Sequence, residues 1–403
     1  MVRKKRRNTL AWKIKGIIKN YFLLDTLFLA YTIFDKLLIK NNTILFVFTK
    51  DEKFVDNSMY LFKYMHENTN KEIQLFIYNK ILYEQLKKQY PGKLLYAYSK
   101  KGLLAFLKSK TIILSTGLDK LLFFPYYLNP KHKTIIQLWH GSLFKRLGFQ
   151  VLDWDQKKNK KELQQFSKFI ACSTLEQFMI ASCFDMNIDD IWITDYPRND
   201  KLLKPTKDLT QDFPYLKHKT ILYAPTWREE GRDTEFFPFD DVNLLEIQKF
   251  LEENNAYLLI RGHKEEVDRI NDTYNLSLGE TDRIISADQS VFPNGEELLP
   301  YVDILITDYS GIYNDFLLLN RPVIFVPYDI DDYSTYRGVL LNYDKFTAGP
   351  KVDTQKDLLL NIQSYIDTPE KDIELRKRLI SVFHDFNEPK ACERIYKRMI
   401  DFL

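Results

Sequence analysis

The sequence predicts an α/β fold: two doubly wound parallel-sheet domains facing a cleft, preceded by an N-terminal amphipathic helical segment. Three observations predict it. The chain has 403 residues, too many for one ordinary core and enough for two domains of roughly 150–200 residues each. Short continuous apolar runs recur from Thr43 onward, separated by polar amphipathic segments, the pattern of strands covered by helices on both faces. Residues 201–219 carry Pro205, Pro214 and many charges, show little helical pattern, and divide the runs into two series.

The N-terminal segment is set apart by charge. Residues 1–20 hold eight bases (Arg3, Lys4, Lys5, Arg6, Arg7, Lys13, Lys15, Lys19) and no acid, leaving 50 bases against 55 acids in the rest of a chain of formal charge +3. Leu10, Ile14, Ile17, Ile18 and Tyr21 recur at helical spacing with the lysines mostly off that stripe. Such a helix suits an anionic membrane surface, with its apolar face down. The alternative is a helix packed on the body with solvated lysines. Asp25 and Asp35 interrupt the apolar stretch that follows, so neither a secretory signal nor a bilayer-spanning helix is expected. The segment breaks near Asn41-Asn42, giving expected units of 1–42, 43–205 and 206–403.

The first series of apolar runs covers 44–48, 73–78, 94–98, 111–115, 134–139 and 169–173. The second covers 220–224, 256–261, 283–286, 304–307 and 323–326. Two such domains facing a cleft resemble the GT-B architecture of nucleotide-sugar transferases. Ligands of doubly wound sheets sit beyond the C-terminal strand ends, so the chemistry is expected just after the runs.

Five stretches stand there. In the first, a strand ends at His140, Gly141 gives the backbone room to turn, and Lys145 and Arg146 could meet an anion. A cleft histidine suits general-base work; a hydrogen-bonded structural histidine is the alternative. In the second, Pro225 ends a strand and Arg228 is placed to reach into the cleft as a phosphate ligand, or to lie on the surface beside Glu229 and Glu230. The third, Arg261-Gly262-His263-Lys264, suits a diphosphate or is a solvated loop. In the fourth, Thr307, Asp308, Ser310 and Gly311 lead into a helix. Its free N–H groups suit a phosphate, and simple N-capping by Asp308 or Ser310 is the alternative. The fifth runs from Arg321 through Asp329, a candidate ligand for a hydroxyl of the transferred group, to Arg337-Gly338, a candidate phosphate site.

The exclusions are as useful. Three cysteines without a CxxC pair argue against a disulfide scaffold and a zinc site. An acidic body argues against a nucleic-acid surface. GxGxxG, GxxxxGK[ST] and HExxH are all absent from the sequence. No metal-ligand cluster is visible; Asp308 is the one candidate for a Mg²⁺ contact, and no dedicated site is expected.

Taken in order, these stretches resemble the CDP-glycerol glycerophosphotransferase family, the teichoic-acid primases and polymerases of Gram-positive bacteria. The resemblance rests on WHG-x-x-x-K-x-x-G at 139–148, PRND at 197–200, YAPTWR at 223–228, RGH at 261–263, LITDYSGIYNDF at 305–316 and RPVIF at 321–325. It spans roughly residues 43–350. The chain departs from the family pattern at Ser142-Leu143, Asp195, Lys264 and Gly311, positions that bear on which polyol or acceptor is used.

The resemblance implies a GT-B-like fold whose second domain binds the donor diphosphate, with His140 as base and His263 as phosphate ligand. Gly141, Lys145, Arg198, Thr226, Arg228, Arg261, Thr307, Asp308, Ser310, Gly311, Asp329 and Arg337 are the implied substrate-binding set. CDP-glycerol is the implied donor, with CDP-ribitol as the alternative, and a polyprenyl-diphosphate-linked sugar or polyol-phosphate chain the acceptor. A peripheral position on the cytoplasmic membrane face follows from the basic segment and that acceptor. Self-association into a homo-oligomer is left open. Two readings of other classes compete: a glycosyltransferase using a UDP-sugar, and a non-catalytic scaffold on membrane or polysaccharide.

Overall fold

The computed structural model describes residues 33, 35–48, 54–117, 132–151, 160, 165–228, 232–262 and 283–401. Of the expected 1–42 helical segment, residues 1–32 and 34 lie outside them.

Two parallel sheets organise the chain. The first contains β1 (Asn41–Phe48), β2 (Ile73–Ile77), β3 (Leu94–Tyr96), β4 (Ser109–Leu114), β5 (Thr134–Gln137), β6 (Lys168–Ala171) and β7 (Ile191–Ile193), in the order β3-β2-β1-β4-β5-β6-β7. The second contains β8 (Lys219–Tyr223), β9 (Ala256–Ile260), β10 (Ile284–Ser286), β11 (Ile304–Thr307) and β12 (Val323–Phe325), in the order β10-β9-β8-β11-β12. Every pairing in both sheets is parallel. β7 was not expected: a three-residue run, Ile-Trp-Ile, between acidic neighbours is too short to stand out as a strand.

The continuous apolar runs have the cause inferred for them. Along β1, Ile44, Phe46 and Phe48 enter one core while Leu45 and Val47 enter another on the opposite face. Along β8, Ile221 and Tyr223 face one layer and Leu222 the other. Side chains alternate across a strand, so a strand buried on both faces must be apolar at every position.

The helices that cover the sheets and shape the cleft are α1 (Asp56–Asn68), α2 (Lys80–Lys87), α3 (Lys100–Lys108), α4 (Thr174–Phe184), α5 (Asn199–Leu203), α6 (Leu244–Glu253), α7 (Gly295–Leu298), α8 (Ile312–Leu317), α9 (Ile330–Tyr336), α10 (Gln355–Asp367), α11 (Ile373–Phe383) and α12 (Ala391–Ile400). Several begin as their sequences dictate: the Ser173 side chain accepts from the Glu176 N–H at the start of α4, and Asn243 and Thr354 cap α6 and α10 in the same way.

The last helix returns to the first sheet. Cys392, Ile395 and Met399 of α12 pack in the core with Ile44, Phe46 and Met59, although residues 391–400 fall within the expected 206–403 unit. The crossing is reciprocal elsewhere. Phe144, from the loop after β5, is buried against Tyr313 and Tyr343 of the second unit. Leu340 and Leu341 pack against the core of the first.

In each sheet the chain reverses its winding where a central strand has a neighbour on either side. β1 pairs with β2 and β4, and β8 pairs with β9 and β11. The crevice beyond the strand ends at such a reversal is where doubly wound folds bind ligands.

Candidate active site

On the first sheet, the turn after β5 has unusual backbone. Trp139 has φ +53°, rare for a bulky residue, and Gly141 has φ +139°. The turn is held from behind. Gln137 Oε1 accepts from the Trp139 N–H at 2.9 Å. Asn57 Nδ2 donates to the carbonyls of Leu138 (3.2 Å) and Trp139 (3.0 Å). Glu176, fully buried, accepts from the Leu143 and Cys172 N–H groups and the Tyr196 hydroxyl at 2.7, 2.8 and 2.9 Å.

This scaffold presents His140 at the cleft, its ring stacked near Trp139 with centroids 4.4 Å apart. His140 Nδ1 lies 3.3 Å from the Ser115 carbonyl oxygen. A carbonyl only accepts, so Nδ1 carries the proton and Nε2 keeps its lone pair. His140 keeps surface exposed to solvent, yet the protein packed around its ring disfavours the charged form by desolvation. That desolvation holds its pKa below the ordinary histidine value, opposed by Asp56 and the Ser115 carbonyl and aided by Arg198 and Lys145. The imidazole is neutral near pH 7 and fit to accept a proton.

On the second sheet, the loop after β11 sits beside the loop after β8. Thr307 Oγ1 donates to the Ala224 carbonyl (2.7 Å), and Asp308 Oδ1 accepts from the Thr226 N–H (2.7 Å) and the Tyr309 N–H (2.5 Å). Arg228 is 1% exposed. Its Nε and Nη2 donate to Asp329 at 2.8 and 2.7 Å, Nη1 donates to the Thr226 carbonyl at 2.6 Å, and Nη1 lies 2.9 Å from Asp308 Oδ2. Tyr309, Tyr328 and Tyr333 surround the guanidinium. Arg228, expected to reach into the cleft, is therefore the centre of a buried lattice with Thr226, Asp308 and Asp329. Two acids from other loops, Asp308 and Asp329, neutralise it there.

Arg261 is also taken up by backbone. Its Nη1 donates to the carbonyls of Ala287 (2.7 Å) and Phe292 (3.0 Å), and a Cβ at Gly295 would come within 2.9 Å of its Nε. It supports the loop leading to α7. His263 lies outside the described residues.

Ser310 and Gly311 are the half-buried tip of this side. The Ser310 hydroxyl is 3.5 Å from the Ile312 N–H, a weak contact at most, and Gly311 precedes α8 with no side-chain cap. This tip meets the histidine turn: a Cβ at Gly311 would lie 2.9 Å from the Ser142 carbonyl oxygen. The fifth stretch meets it too. Lys145 bridges to Val339, the Arg146 N–H donates to the Gly338 carbonyl at 3.0 Å, and the Leu340 N–H donates to the Phe144 carbonyl at 3.0 Å. Gly338 has φ +71°, and a Cβ there would meet Arg146 at 3.1 Å. Arg337 is half-buried just before it, at the end of α9.

The two sides are also joined by ions. Arg198 is paired to Asp315 of α8 and lies 3.7 Å from Asp56 of α1. Tyr60 of α1 donates to Glu297 at 2.8 Å. Beside it, burial and then Asp56 push the Glu296 carboxyl up to about 7. Sequence reasoning gave no role to Asp56, Asn57, Ser115, Glu176 or Glu296. Helix starts and strand ends were the only local signals for them, and their partners are distant in sequence. Asp315 was read only as part of the 305–316 signature.

Two doubly wound parallel sheets whose strand-end loops meet, the turn after β5 bearing a neutral histidine and the loop after β11 a serine-glycine tip, give the chain a GT-B-like fold. The chain belongs to the CDP-glycerol:poly(glycerophosphate) glycerophosphotransferase family, whose model matches residues 29–401. It is 28% identical over 401 residues to the teichoic acid glycerol-phosphate transferase of Staphylococcus aureus, covering 95% of this chain and 98% of that one. It is 27% identical to the teichoic acid poly(ribitol-phosphate) polymerase of Bacillus spizizenii, covering 92% of this chain but only 58% of that one. Among solved structures, wall teichoic acid polymerase TagF superposes with a TM-score of 0.72 at 24% identity, over 92% of both chains. The UDP-GlcNAc 2-epimerase of Neisseria meningitidis superposes with a TM-score of 0.56 at 14% identity, over 89% of this chain and 100% of that one. These structural likenesses bear on the fold.

Proposed function

We propose that this protein transfers glycerol phosphate from CDP-glycerol to a membrane-linked acceptor in teichoic acid synthesis, releasing CMP. The observation that carries the reading is the meeting of two loops: the turn that carries the neutral His140 meets the Ser310-Gly311 tip, where Gly311 lies against the Ser142 carbonyl. Family membership supports the donor class, and the match along almost the whole length of a glycerol-phosphate transferase supports glycerol.

In this mechanism an acceptor hydroxyl attacks the phosphorus bearing glycerol. Its oxygen–phosphorus bond forms as the bond from that phosphorus to the CMP phosphate oxygen breaks. The hydroxyl proton passes to His140 Nε2. Such transfers need in-line placement and charge stabilisation rather than a covalent intermediate. Ser310, the Gly311 N–H and His263 are the groups assigned to the donor phosphates, with Lys145 and Arg337 at the rim. Arg228, Thr226, Thr307, Asp308 and Asp329 shape the floor beneath them. The acceptor, a polyprenyl-diphosphate-linked sugar or growing chain, brings the enzyme to the membrane, where the basic residues 1–20 bind anionic headgroups.

CDP-ribitol is the second reading, supported by the ribitol-phosphate polymerase relative. One experiment separates them: mass spectrometry of products from a synthetic lipid-diphosphate disaccharide with either CDP-glycerol or CDP-ribitol. The glycerol reading expects added glycerol phosphate and CMP release. Addition from CDP-ribitol alone overturns it, and release of UMP or UDP from a UDP-sugar overturns the reaction class.

A further inference from the structure

Arg198 sits in the turn after β7, and its side chain is 10% exposed. Its backbone N–H donates to Asn57 Oδ1 at 3.1 Å, the same Asn57 whose amide holds the Leu138 and Trp139 carbonyls. Its Nη1 donates to the carbonyl oxygen of His140 itself at 2.8 Å. Its Nη2 pairs with Asp315, which lies on α8 only five residues beyond Ser310. The carbonyls of residues 138, 139 and 140 are thus fixed in sequence by Asn57 and Arg198. This matters because the turn is strained at Trp139, and strained backbone persists only where its surroundings over-determine it. Gly141 belongs to the same fit: a Cβ there would fall 2.4 Å from Arg198 Nη2.

The planar fork is the reason this residue is arginine. One guanidinium reaches a carbonyl on the first sheet and a carboxylate on the second at once, whereas an ammonium is a single point donor group. With one arm on His140 and the other on Asp315, the fork is not presented to a phosphate, contrary to the role the family resemblance implied.

We infer that Arg198 is a positioning residue: through its paired bonds to the His140 carbonyl and to Asp315, it couples the seating of the base to the docking of the Ser310-Gly311 tip. The inference rests on His140 being the base. The base is then correctly placed only when the donor-side tip is docked against its turn. Charged and titratable groups face this arrangement from several elements: Asp56 from α1, Lys145 from the histidine turn, Asp195 and Arg198 from the turn after β7, Asp315 and Glu296 from α8 and α7, and His384 from the end of α11.

The test uses the full chain, CDP-glycerol and a synthetic lipid acceptor, with the variants Arg198→Lys, Asp315→Asn and the double variant. Displacing a reacting group by about 1 Å can lower turnover on the order of 100-fold. Each single variant is expected to lower kcat about 10- to 100-fold with little change in donor KM. The acid limb of the kcat profile should move upward as His140 becomes better hydrated. The double variant should be no worse than the poorer single one, because both break one connection. Asp315→Asn is nearly isosteric and keeps the test open if Arg198→Lys fails to fold. A raised donor KM with kcat preserved overturns the inference in favour of a phosphate ligand. A lowered Tm with an unchanged kcat and pH profile overturns it in favour of a purely structural pair. His140→Ala tests the underlying reading separately: if that variant turns over normally, the base assignment fails. If it is inactive while Arg198→Lys and Asp315→Asn behave as wild type, only the coupling fails.

Discussion

His140 Nδ1 and the Ser115 carbonyl oxygen, 3.3 Å apart, fix the tautomer of the candidate base. Ser115 is itself held: its Oγ lies 2.5 Å from Ser58 Oγ and accepts from the Ser58 N–H at 3.1 Å. The base is therefore oriented by a carbonyl rather than by a carboxylate. General-base help is worth about 10²–10⁴ in rate. His140→Ala is expected to lower turnover in that range while circular dichroism and Tm stay near wild type. In the wild type, turnover should fall as acid protonates the imidazole. Because desolvation by the surrounding protein lowers the pKa, that limb should lie below about pH 6.5. A folded His140→Ala protein with near-normal turnover would sink the assignment.

Arg228 bears on stability more than on donor affinity. Its guanidinium is enclosed between Asp308 and Asp329. Removing one partner of a buried ion pair leaves an uncompensated charge, at about 3–5 kcal/mol. Arg228→Ala is expected to lose stability of that order in urea denaturation. Unchanged stability with a weakened CDP-glycerol titration would instead return Arg228 to the role of phosphate ligand.

Asp195 occupies a left-handed position, φ +68°. Aspartate and asparagine tolerate this conformation better than other side chains. Its Oδ1 accepts from the Tyr196 N–H and from Asn199 Nδ2, both at 2.7 Å, which organises the turn that carries Arg198. Burial pushes the carboxyl up to about 7. A raised folded pKa means the unfolded chain ionises first, from about pH 4. The stability associated with the protonated form is complete below that pH and is lost as pH rises to about 7. Asp195→Asn keeps the accepted bonds without the titration. Its stability relative to wild type is expected to increase from pH 4 to 7 and then level off. A difference independent of pH would refute this.

Much of this was legible because strand ends advertise themselves. The apolar runs gave the two sheets, and His140, Ser310 and Gly311 fell where the runs stop. The roles of the arginines were not legible, since their partners are remote: Asp329 is 101 residues from Arg228, and Asp315 is 117 from Arg198. Local sequence shows an arginine after a strand, and only the topology shows which acid neutralises it. β7 and the return of α12 escaped for related reasons. Three residues make no periodic pattern, and the stripe of Cys392, Ile395 and Met399 says that a helix is amphipathic without saying which sheet it covers.

The membrane reading is best tested by a truncation chosen from the structure. Among the described residues no helix is long and apolar enough to cross a membrane, and the proposed attachment rests on residues 1–20. Just beyond, Asp35 is buried with Lys40 Nζ at 2.5 Å and Lys133 Nζ at 3.2 Å. Lys133 also donates to the carbonyls of Phe106, Leu107 and Ser109, and burial pulls its pKa down to about 7. A cut beyond residue 35 therefore removes the counter-charge of a buried lysine, a loss on the order of 3–5 kcal/mol, and would confuse unfolding with release. Deleting residues 1–32 spares the Asp35 pair. That protein is expected to keep the wild-type Tm and to stop co-sedimenting with phosphatidylglycerol vesicles, while the full chain binds them and is released as salt rises. Deletion of residues 1–40 should lose both binding and stability. Vesicle binding that survives the shorter deletion undiminished would remove the basic segment from the account of how this enzyme reaches its acceptor.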